Sequence, residues 1–110
     1  MTTRLQLTGG TEGHDHVVMV RGEVDMESAP RLLDEIQHGL KHASRAVVDL
    51  AGVSYIDSSG IAVLVQGLKS AMKRGKEFVL RAPSAQVAAV LKLAQLQQLF
   101  KIEPAPDQPR

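Results

Sequence analysis

Asp57, Ser58 and Ser59 are the residues of this 110-residue sequence whose types and spacing most clearly allow chemistry. They follow the strand-like pair Tyr55-Ile56 and precede a helical pattern. Because Asp and Ser side-chain oxygens accept hydrogen bonds from the unpaired first amides of a helix, one of the serines can cap this helix. The other serine is then a free hydroxyl at the positive end of the helix dipole, where added negative charge is favoured.

Four kinds of chemistry can be compared at this Asp-Ser-Ser corner, which we define as residues 55–61. A serine hydrolase needs a base beside its nucleophile and usually the pattern G-x-S-x-G, whereas none of the four His residues is near Ser58 in sequence. A receiver-like module would accept a phosphoryl group on Asp57, with Mg²⁺ held by Asp25 and Asp49. Such a domain alternates strands and helices strictly, and the hairpin predicted below at the start of the chain departs from that order. Two alternatives remain: a serine phosphorylated by a partner kinase, and two serines that only cap the helix.

Nucleotide-binding and metal-binding patterns are weak in this sequence. The phosphate-binding loop G-x-x-x-x-G-K-[ST] and the dinucleotide fingerprint are absent. His14 and His16 form an H-x-H pair in a loop without a third ligand, and His38 and His42 lie four apart on a helix but off its apolar stripe. We interpret all four histidines as solvated residues, and we expect no metal and no cofactor.

The elements that must position the corner follow from the hydrophobic periodicity, which predicts the order β-β-α-β-α-β-α-β. The strands are predicted at 4–8, 17–24, 46–50 and 77–81 and near Ile102. The first helix is predicted from Ser28 to near Lys41, the second from the corner to Gly75, and the third begins at Pro83-Ser84. This order predicts an α/β fold: a mixed β-sheet of about five strands, opened by a hairpin and covered by three main helices. The corner then lies at the carboxyl end of a central strand, where α/β folds place their chemistry. One domain is expected over residues 1–103, with a frayed tail at 104–110.

The second predicted helix has two apolar sides. Its core stripe is expected to comprise Ile61, Leu64, Val65, Leu68 and Met72. Away from that stripe lie the small or apolar residues Gly60, Ala62, Val63 and Gly67. These residues serve either close packing against a neighbouring strand or a smooth docking face beside the serines. In the docking interpretation, a large charged residue at Val63 or Gly67 should weaken docking and leave stability nearly unchanged.

Composition narrows the classes of partner. A formal net charge of +1, from 13 basic and 12 acidic residues, gives no field that would attract nucleic acid or an anionic membrane. The single Tyr, two Phe and absence of Trp leave no platform for stacking bases. Without Cys there is no disulfide framework or thiolate metal site. Since neither a leader nor an apolar run of about 18 residues is found, we expect a soluble, cytoplasmic protein.

Three segments resemble the STAS domain family of bacterial anti-sigma factor antagonists. They are Gly22-Glu23-Val24-Asp25, Val48-Asp49-Leu50-Ala51-Gly52-Val53-Ser54-Tyr55-Ile56-Asp57-Ser58-Ser59-Gly60 and Gly75-Lys76-Glu77-Phe78-Val79-Leu80. The likeness extends from about Leu5 to Ile102, and the D-S-S-G segment after an apolar strand is its most specific part. It raises the phosphoacceptor hypothesis above the capping one.

The resemblance implies a regulator and not an enzyme. Such proteins bind an anti-sigma factor that is also a serine kinase, which phosphorylates the serine after the motif's Asp, here Ser58, and a metal-dependent serine phosphatase reverses the mark. We predict that the partner binds at Asp25, Asp57, Ser58, Ser59, Gly60, Ile61, Val63 and Gly67. As an alternative, STAS domains occur in stress-signalling assemblies and as accessory subunits of lipid-transport ABC systems, where the corner docks without phosphorylation.

Two further expectations concern helix ends. With Ser58 as the phosphoacceptor, Ser59 is expected to cap the amides of residues 61 and 62. Many relatives in the family carry Gly where the third helix ends, whereas Lys92-Leu93-Ala94-Gln95-Leu96 contains none. That cap must therefore be built differently or cost some strain.

Overall fold

Five strands form one mixed sheet in the computed structural model, which describes residues 5–106 of the chain. The elements in chain order are β1 (Gln6–Glu12), β2 (Asp15–Val24), α1 (Ala29–His42), β3 (Arg45–Ile56), α2 (Ser58–Lys73), β4 (Glu77–Arg81), α3 (Ala85–Leu93) and β5 (Lys101–Glu103). The strands lie in the sheet in this same order, with β1 antiparallel to β2 and every later pair parallel. The predicted fold class, a hairpin-opened mixed sheet with three main helices, is confirmed.

The chain ends contain two predictions that the structure leaves open. Arg4, the first residue of the strand predicted at 4–8, and residues 107–110 of the predicted tail lie outside the described residues. The division into a domain at 1–103 and a tail at 104–110 therefore stays a prediction. Within residues 5–106, no helix is both long enough and apolar enough to span a membrane.

β1 extends beyond the strand predicted at 4–8 and includes two glycines. Gly9 pairs with Val18 and Gly10 with Val17, and only Gly13, with φ of 62°, lies in the turn that joins β1 to β2. Because β1 is an antiparallel edge strand, only one of these two successive glycines bonds to β2 through its backbone, and the pairing of the hairpin as a whole outweighs the low strand propensity of Gly.

β3 is longer than the predicted strand at 46–50. It continues through residues 51–54, and its last residue Ile56 still pairs with Val24. Register shifts with β2 accommodate the extra length, and one of them lies next to Gly22, which has φ of 93° and marks a β-bulge. β4 pairs with β3 only as far as Asp49, so residues 51–56 have a strand neighbour on the β2 side alone.

All three helices share one core with alternate residues of the sheet. The largest fully buried side chains include Leu32, Ile36, Leu64, Leu80 and Leu91, which come from α1, α2, β4 and α3. α2 is covered on two sides, because the position of a Gly67 Cβ would lie 2.8 Å from Cε1 of Phe78 in β4 and 3.1 Å from Cγ2 of Ile36 in α1. The predicted core stripe of α2 is accordingly wrong at Met72, whose exposed fraction is 69%; the neighbouring Ala71 is buried instead.

The opposite face of the sheet is closed by ion pairs above a row of valines. Val17, Val47 and Val79 are buried there as a separate cluster. Arg45 binds both carboxylate oxygens of Glu103, at 2.9 and 3.2 Å, and also contacts Asp15 at 3.2 Å. The hydrogen bonds that Arg45 donates to Glu103 raise the pKa of Arg45. Bidentate pairs of this kind fix the arginine in one geometry on this face of the sheet.

The end of α3 carries the cap that a glycine would normally make. Gln95 has φ of 59°, the left-handed conformation that favours Gly. The Leu96 amide donates to the Leu91 carbonyl at 2.8 Å and the Gln95 amide to the Lys92 carbonyl at 3.0 Å, which together form a Schellman motif. The expected strain is therefore present, and it is located at Gln95.

Candidate functional site

The corner lies where the two central parallel strands end side by side. Val24 ends β2 opposite Ile56, the last residue of β3, and each is followed by an aspartate and then by a helix. The Asp57 amide donates to the Val24 carbonyl at 3.2 Å, which ties the two strand ends together. Asp25 and Asp57 therefore share one edge of the sheet with the N-termini of α1 and α2, at the carboxyl end of a central strand as predicted.

Asp57 is the cap of α2. Its Oδ1 atom accepts hydrogen bonds from the Ser59 amide at 2.9 Å and the Gly60 amide at 3.2 Å. The prediction that Ser59 caps the amides of residues 61 and 62 is wrong, because the helix begins at Ser58 and the Ile61 amide already donates to the Asp57 carbonyl at 3.1 Å. The amides that need a cap are those before residue 61, and the Asp57 side chain reaches two of them.

The two serines are left with free hydroxyls in the first turn of α2. Within residues 5–106, neither the Ser58 nor the Ser59 hydroxyl forms a hydrogen bond. Ser58 is exposed, whereas Ser59 is half-buried. Ser58 thus presents an accessible hydroxyl at the positive end of the α2 dipole, directly beside the Asp57 carboxylate.

Asp25 organises the turn that leads into α1. Its Oδ1 atom accepts hydrogen bonds from the Glu27 and Ser28 amides, both at 3.0 Å, and lies 3.1 Å from the Ser28 hydroxyl. The backbone hydrogen bond from Ser28 is the main cause that lowers the pKa of Asp25. Asp25 is therefore the side chain that binds the free amides ahead of α1, while Ser28 makes no side-chain cap of α1.

The structure does not assemble the carboxylate cluster of a receiver-like module. Asp49 points to the valine face of the sheet, where Oδ2 binds Arg81 at 2.8 Å and Oδ1 accepts the Ala51 amide at 3.1 Å. Asp25 and Asp57 are each engaged with backbone amides. Among residues 5–106, no group of three or more Asp, Glu or His side chains has the geometry to hold a metal ion.

Most of the proposed docking face of α2 is core. Gly60, Ile61, Val63 and Gly67 are all buried, and the exposed fraction of Val63 is only 8%. A Cβ at Gly60 would lie 2.5 Å from Cγ1 of Ile56 and 2.8 Å from Cγ1 of Val24, so this glycine lets the helix approach the strand ends closely. The assignment of these four residues to a surface that a partner touches is therefore corrected to a supporting role beneath the corner.

Apolar residues are exposed at the ends of β2 and β3 and in the first turns of α2, and of these Ala62 already belonged to the proposed docking face. Met26, in the turn after Asp25, has an exposed fraction of 79%, and Tyr55, just before the end of β3, has one of 45%. Ala62, one turn along α2 from Ser58, is also exposed. The available signal was the position of two large apolar residues next to the two aspartates, outside any apolar stripe.

Gln86 is a second residue at the site that no sequence pattern indicated. Its side-chain oxygen, from the first turn of α3, accepts a hydrogen bond from the Ile56 amide at 2.7 Å. Ile56 directly precedes Asp57, so this contact links α3 to the backbone of the corner.

Three histidines lie together away from the corner, at the end of α1 and the start of β2. The ring centroids of His16 and His38 are 5.9 Å apart and those of His38 and His42 are 4.9 Å apart. His16 is buried, with its Nε2 atom 3.0 Å from Oε1 of Glu35, so its interpretation as a solvated loop residue is wrong. The cause is the early start of β2 at Asp15, which turns His16 toward α1.

Comparisons with known proteins agree on the family. Residues 7–102 match the family model described as "Mlab, STAS domain". The anti-sigma-B factor antagonist of Listeria monocytogenes is 31% identical over 91 residues, which cover 81% of this chain and 80% of that protein. The range that matches the family model includes the whole of the Asp-Ser-Ser corner.

Solved structures show the same fold. An anti-sigma factor antagonist from Mycobacterium paratuberculosis superposes with a TM-score of 0.84 at 25% identity, covering 94% of this chain and 89% of that one. The Bacillus cell fate determinant SpoIIAA in its phosphorylated form has a TM-score of 0.73 at 17% identity, with 94% and 93% covered. At that identity the second likeness concerns the fold alone.

Proposed function

Because this chain belongs to the STAS domain family, we propose that it is an anti-sigma factor antagonist that binds a serine-kinase anti-sigma factor and is released when Ser58 is phosphorylated. Binding would sequester the anti-sigma factor and so permit transcription that depends on the sigma factor. A serine phosphatase would restore the binding form. The name of the Listeria monocytogenes relative supports the first part of this proposal.

The observation that carries the phosphorylation step is the state of the Ser58 hydroxyl. It is exposed, and within the described residues it is not engaged in a hydrogen bond, because Asp57 has taken over the capping role. A kinase can therefore reach it without breaking the cap of α2. Ser59, which is half-buried, is the less accessible acceptor.

Electrostatics explains why a phosphate at Ser58 would release a partner. A phosphoserine adds about −1.5 to −2 charges at neutral pH. The α2 dipole favours this charge, but the Asp57 carboxylate beside it and the nearby Asp25 oppose it. The modified protein stays folded, while the same charge buried against a partner would lose its hydration at a high cost.

The surface that meets the partner would combine Met26, Tyr55 and Ala62 with the exposed edge of the corner. Exposed apolar side chains next to a polar switch residue are typical of the centre and rim of a transient interface. We expect Met26→Ala to weaken binding of the anti-sigma factor about tenfold without loss of stability. Met72→Ala is the matched control, because Met72 is similarly exposed but lies at the far end of α2.

The test is incubation with the cognate kinase and ATP, followed by peptide mapping and by binding measurements on the modified protein. Phosphate on Ser58, its loss in Ser58→Ala, and weaker binding after transfer are the expected results. Phosphate on Ser59 would contradict the assignment of the acceptor. Intact binding without any transfer would favour the accessory role, and co-purification with a membrane ABC complex would then identify it.

A further inference from the structure

The backbone just before Ser58 is held from two opposite sides. On one side the Asp57 amide donates to the Val24 carbonyl of β2 at 3.2 Å. On the other side the preceding amide, that of Ile56, donates to the Gln86 side chain of α3 at 2.7 Å. Successive amides of an extended strand point in opposite directions, so these two bonds fix both edges of the strand end.

A side chain is needed on the α3 side because no strand reaches it. β4 pairs with β3 only from Arg45 to Asp49, and Ile56 lies seven residues beyond that point. Ile56 is buried, so an unpaired amide there would be costly. The Gln86 carboxamide supplies the acceptor that a neighbouring strand would otherwise provide.

Gln86 is itself anchored to the strand that it supports. It lies in the first turn of α3, whose cap residue Ser84 accepts the Val87 amide through its hydroxyl at 3.3 Å. The Ser84 amide donates to the Leu50 carbonyl of β3 at 3.2 Å. The start of α3 is thus joined to β3 at Leu50 and again at Ile56, which spans the segment that β4 does not cover.

From this geometry we infer that Gln86 is a positioning residue for phosphorylation, which orients Ser58 through the Ile56 amide. The inference rests on the proposed phosphorylation of Ser58. Phosphoryl transfer depends on in-line placement of the attacking hydroxyl, and small displacements of a reacting group are expensive. Ser58 is two residues from the bond to Gln86, and its own side chain has no hydrogen bond to orient it within the described residues.

The experiment compares Gln86→Leu, which removes the acceptor at similar size, with Gln86→Glu, which keeps an acceptor oxygen at the same position. Gln37→Leu is the matched control: it also removes a part-buried hydrogen bond of a glutamine, that from Gln37 Nε2 to the Ser70 hydroxyl at 2.8 Å, but between α1 and α2. Steady-state kinetics of phosphorylation by the cognate kinase are measured for all variants, together with hydrogen exchange of the Ile56 amide.

We expect Gln86→Leu to lower kcat about tenfold with KM nearly unchanged, and to speed exchange of the Ile56 amide. Gln86→Glu should recover most of kcat, and Gln37→Leu should keep the wild-type kcat even where it lowers stability. A wild-type kcat in Gln86→Leu, or an equal loss in Gln37→Leu, would overturn the role of Gln86. No phosphate transfer to the wild-type protein would instead overturn the proposed function on which this role depends.

Discussion

Substitutions of Asp57 can distinguish its role as the cap of α2 from the effect of its negative charge beside Ser58. Asp57→Ala leaves the Ser59 and Gly60 amides, now bound at 2.9 and 3.2 Å, without their acceptor. Loss of an N-cap costs about 1 kcal/mol, and loss of a carboxylate at a helix N-terminus costs about 0.5 kcal/mol more. We therefore expect the free energy of unfolding to fall by about 1.5 kcal/mol, measured by urea denaturation at neutral pH.

The matched variant is Asp57→Asn, which keeps a capping oxygen and removes the charge. Because Asn caps about as well as Asp, it should cost only about 0.5 kcal/mol. Ser59→Ala should change stability by less than about 0.5 kcal/mol, since its hydroxyl has no hydrogen bond within the described residues. The reasoning is refuted if Ser59→Ala destabilises the protein more than Asp57→Ala does.

Three further predictions concern stability. Gln95→Gly should raise the free energy of unfolding by about 1 kcal/mol, because it relieves the left-handed strain at φ of 59°; a lower melting temperature would contradict this. Gly67→Ala should lower the free energy of unfolding by about 1 kcal/mol. The added Cβ would crowd Phe78 at 2.8 Å, which costs about 2 kcal/mol, whereas the better helix propensity of Ala returns only about 1 kcal/mol. Stabilisation of this variant in calorimetry would contradict the close packing at Gly67. The pKa of Asp25 is lowered below 3.8, so its ionised form stabilises the fold above that pH, and this contribution is lost as the pH falls through the lowered pKa. The difference in the free energy of unfolding between wild type and Asp25→Asn, followed by acid titration, should therefore shrink below pH 3.8. A constant difference would contradict the stabilising role of the ionised Asp25 carboxylate.

The strands could be predicted where their pattern is local. The run from Ala46 to Leu50, apolar except for Asp49, identified the central strand because a strand buried on both faces is rich in apolar residues on both sides. The continuation through residues 51–56 could not be predicted in the same way, since Gly52 and Ser54 favour a turn. Pairing with β2, which is distant in sequence, overrides that local preference.

For the small residues of α2, the sequence pattern alone could not decide between two interpretations. Gly60 and Gly67 in a helix signalled that something approaches closely, but the same pattern fits a partner or the protein's own core. Only the three-dimensional positions of Phe78 and Ile36 decide between them, and they place Gly67 in the core. Ser58 could be chosen from the motif because its position relative to Asp57 is a local property.

The details of the corner required the fold. Helix boundaries are uncertain by one or two residues from sequence, and a shift of that size decides whether Asp57 or Ser59 is the cap. Gln86 belongs to no motif, and its contact with Ile56 spans 30 residues of sequence. Such a residue can be recognised only when both elements are seen together.

The order of the strands has a consequence for how the molecule folds. Each strand pairs with the one before it in the chain, so the sheet can form stepwise, but only the β1–β2 hairpin closes a short loop, because the parallel pairs join residues more than 20 positions apart. The bond between Asp57 and Val24 needs only β2 and β3, whereas the bond between Ile56 and Gln86 needs α3, which is synthesised later. During synthesis of the chain, the Asp57 bond can therefore form before the Ile56 bond, so that the segment before Ser58 becomes rigid in two stages.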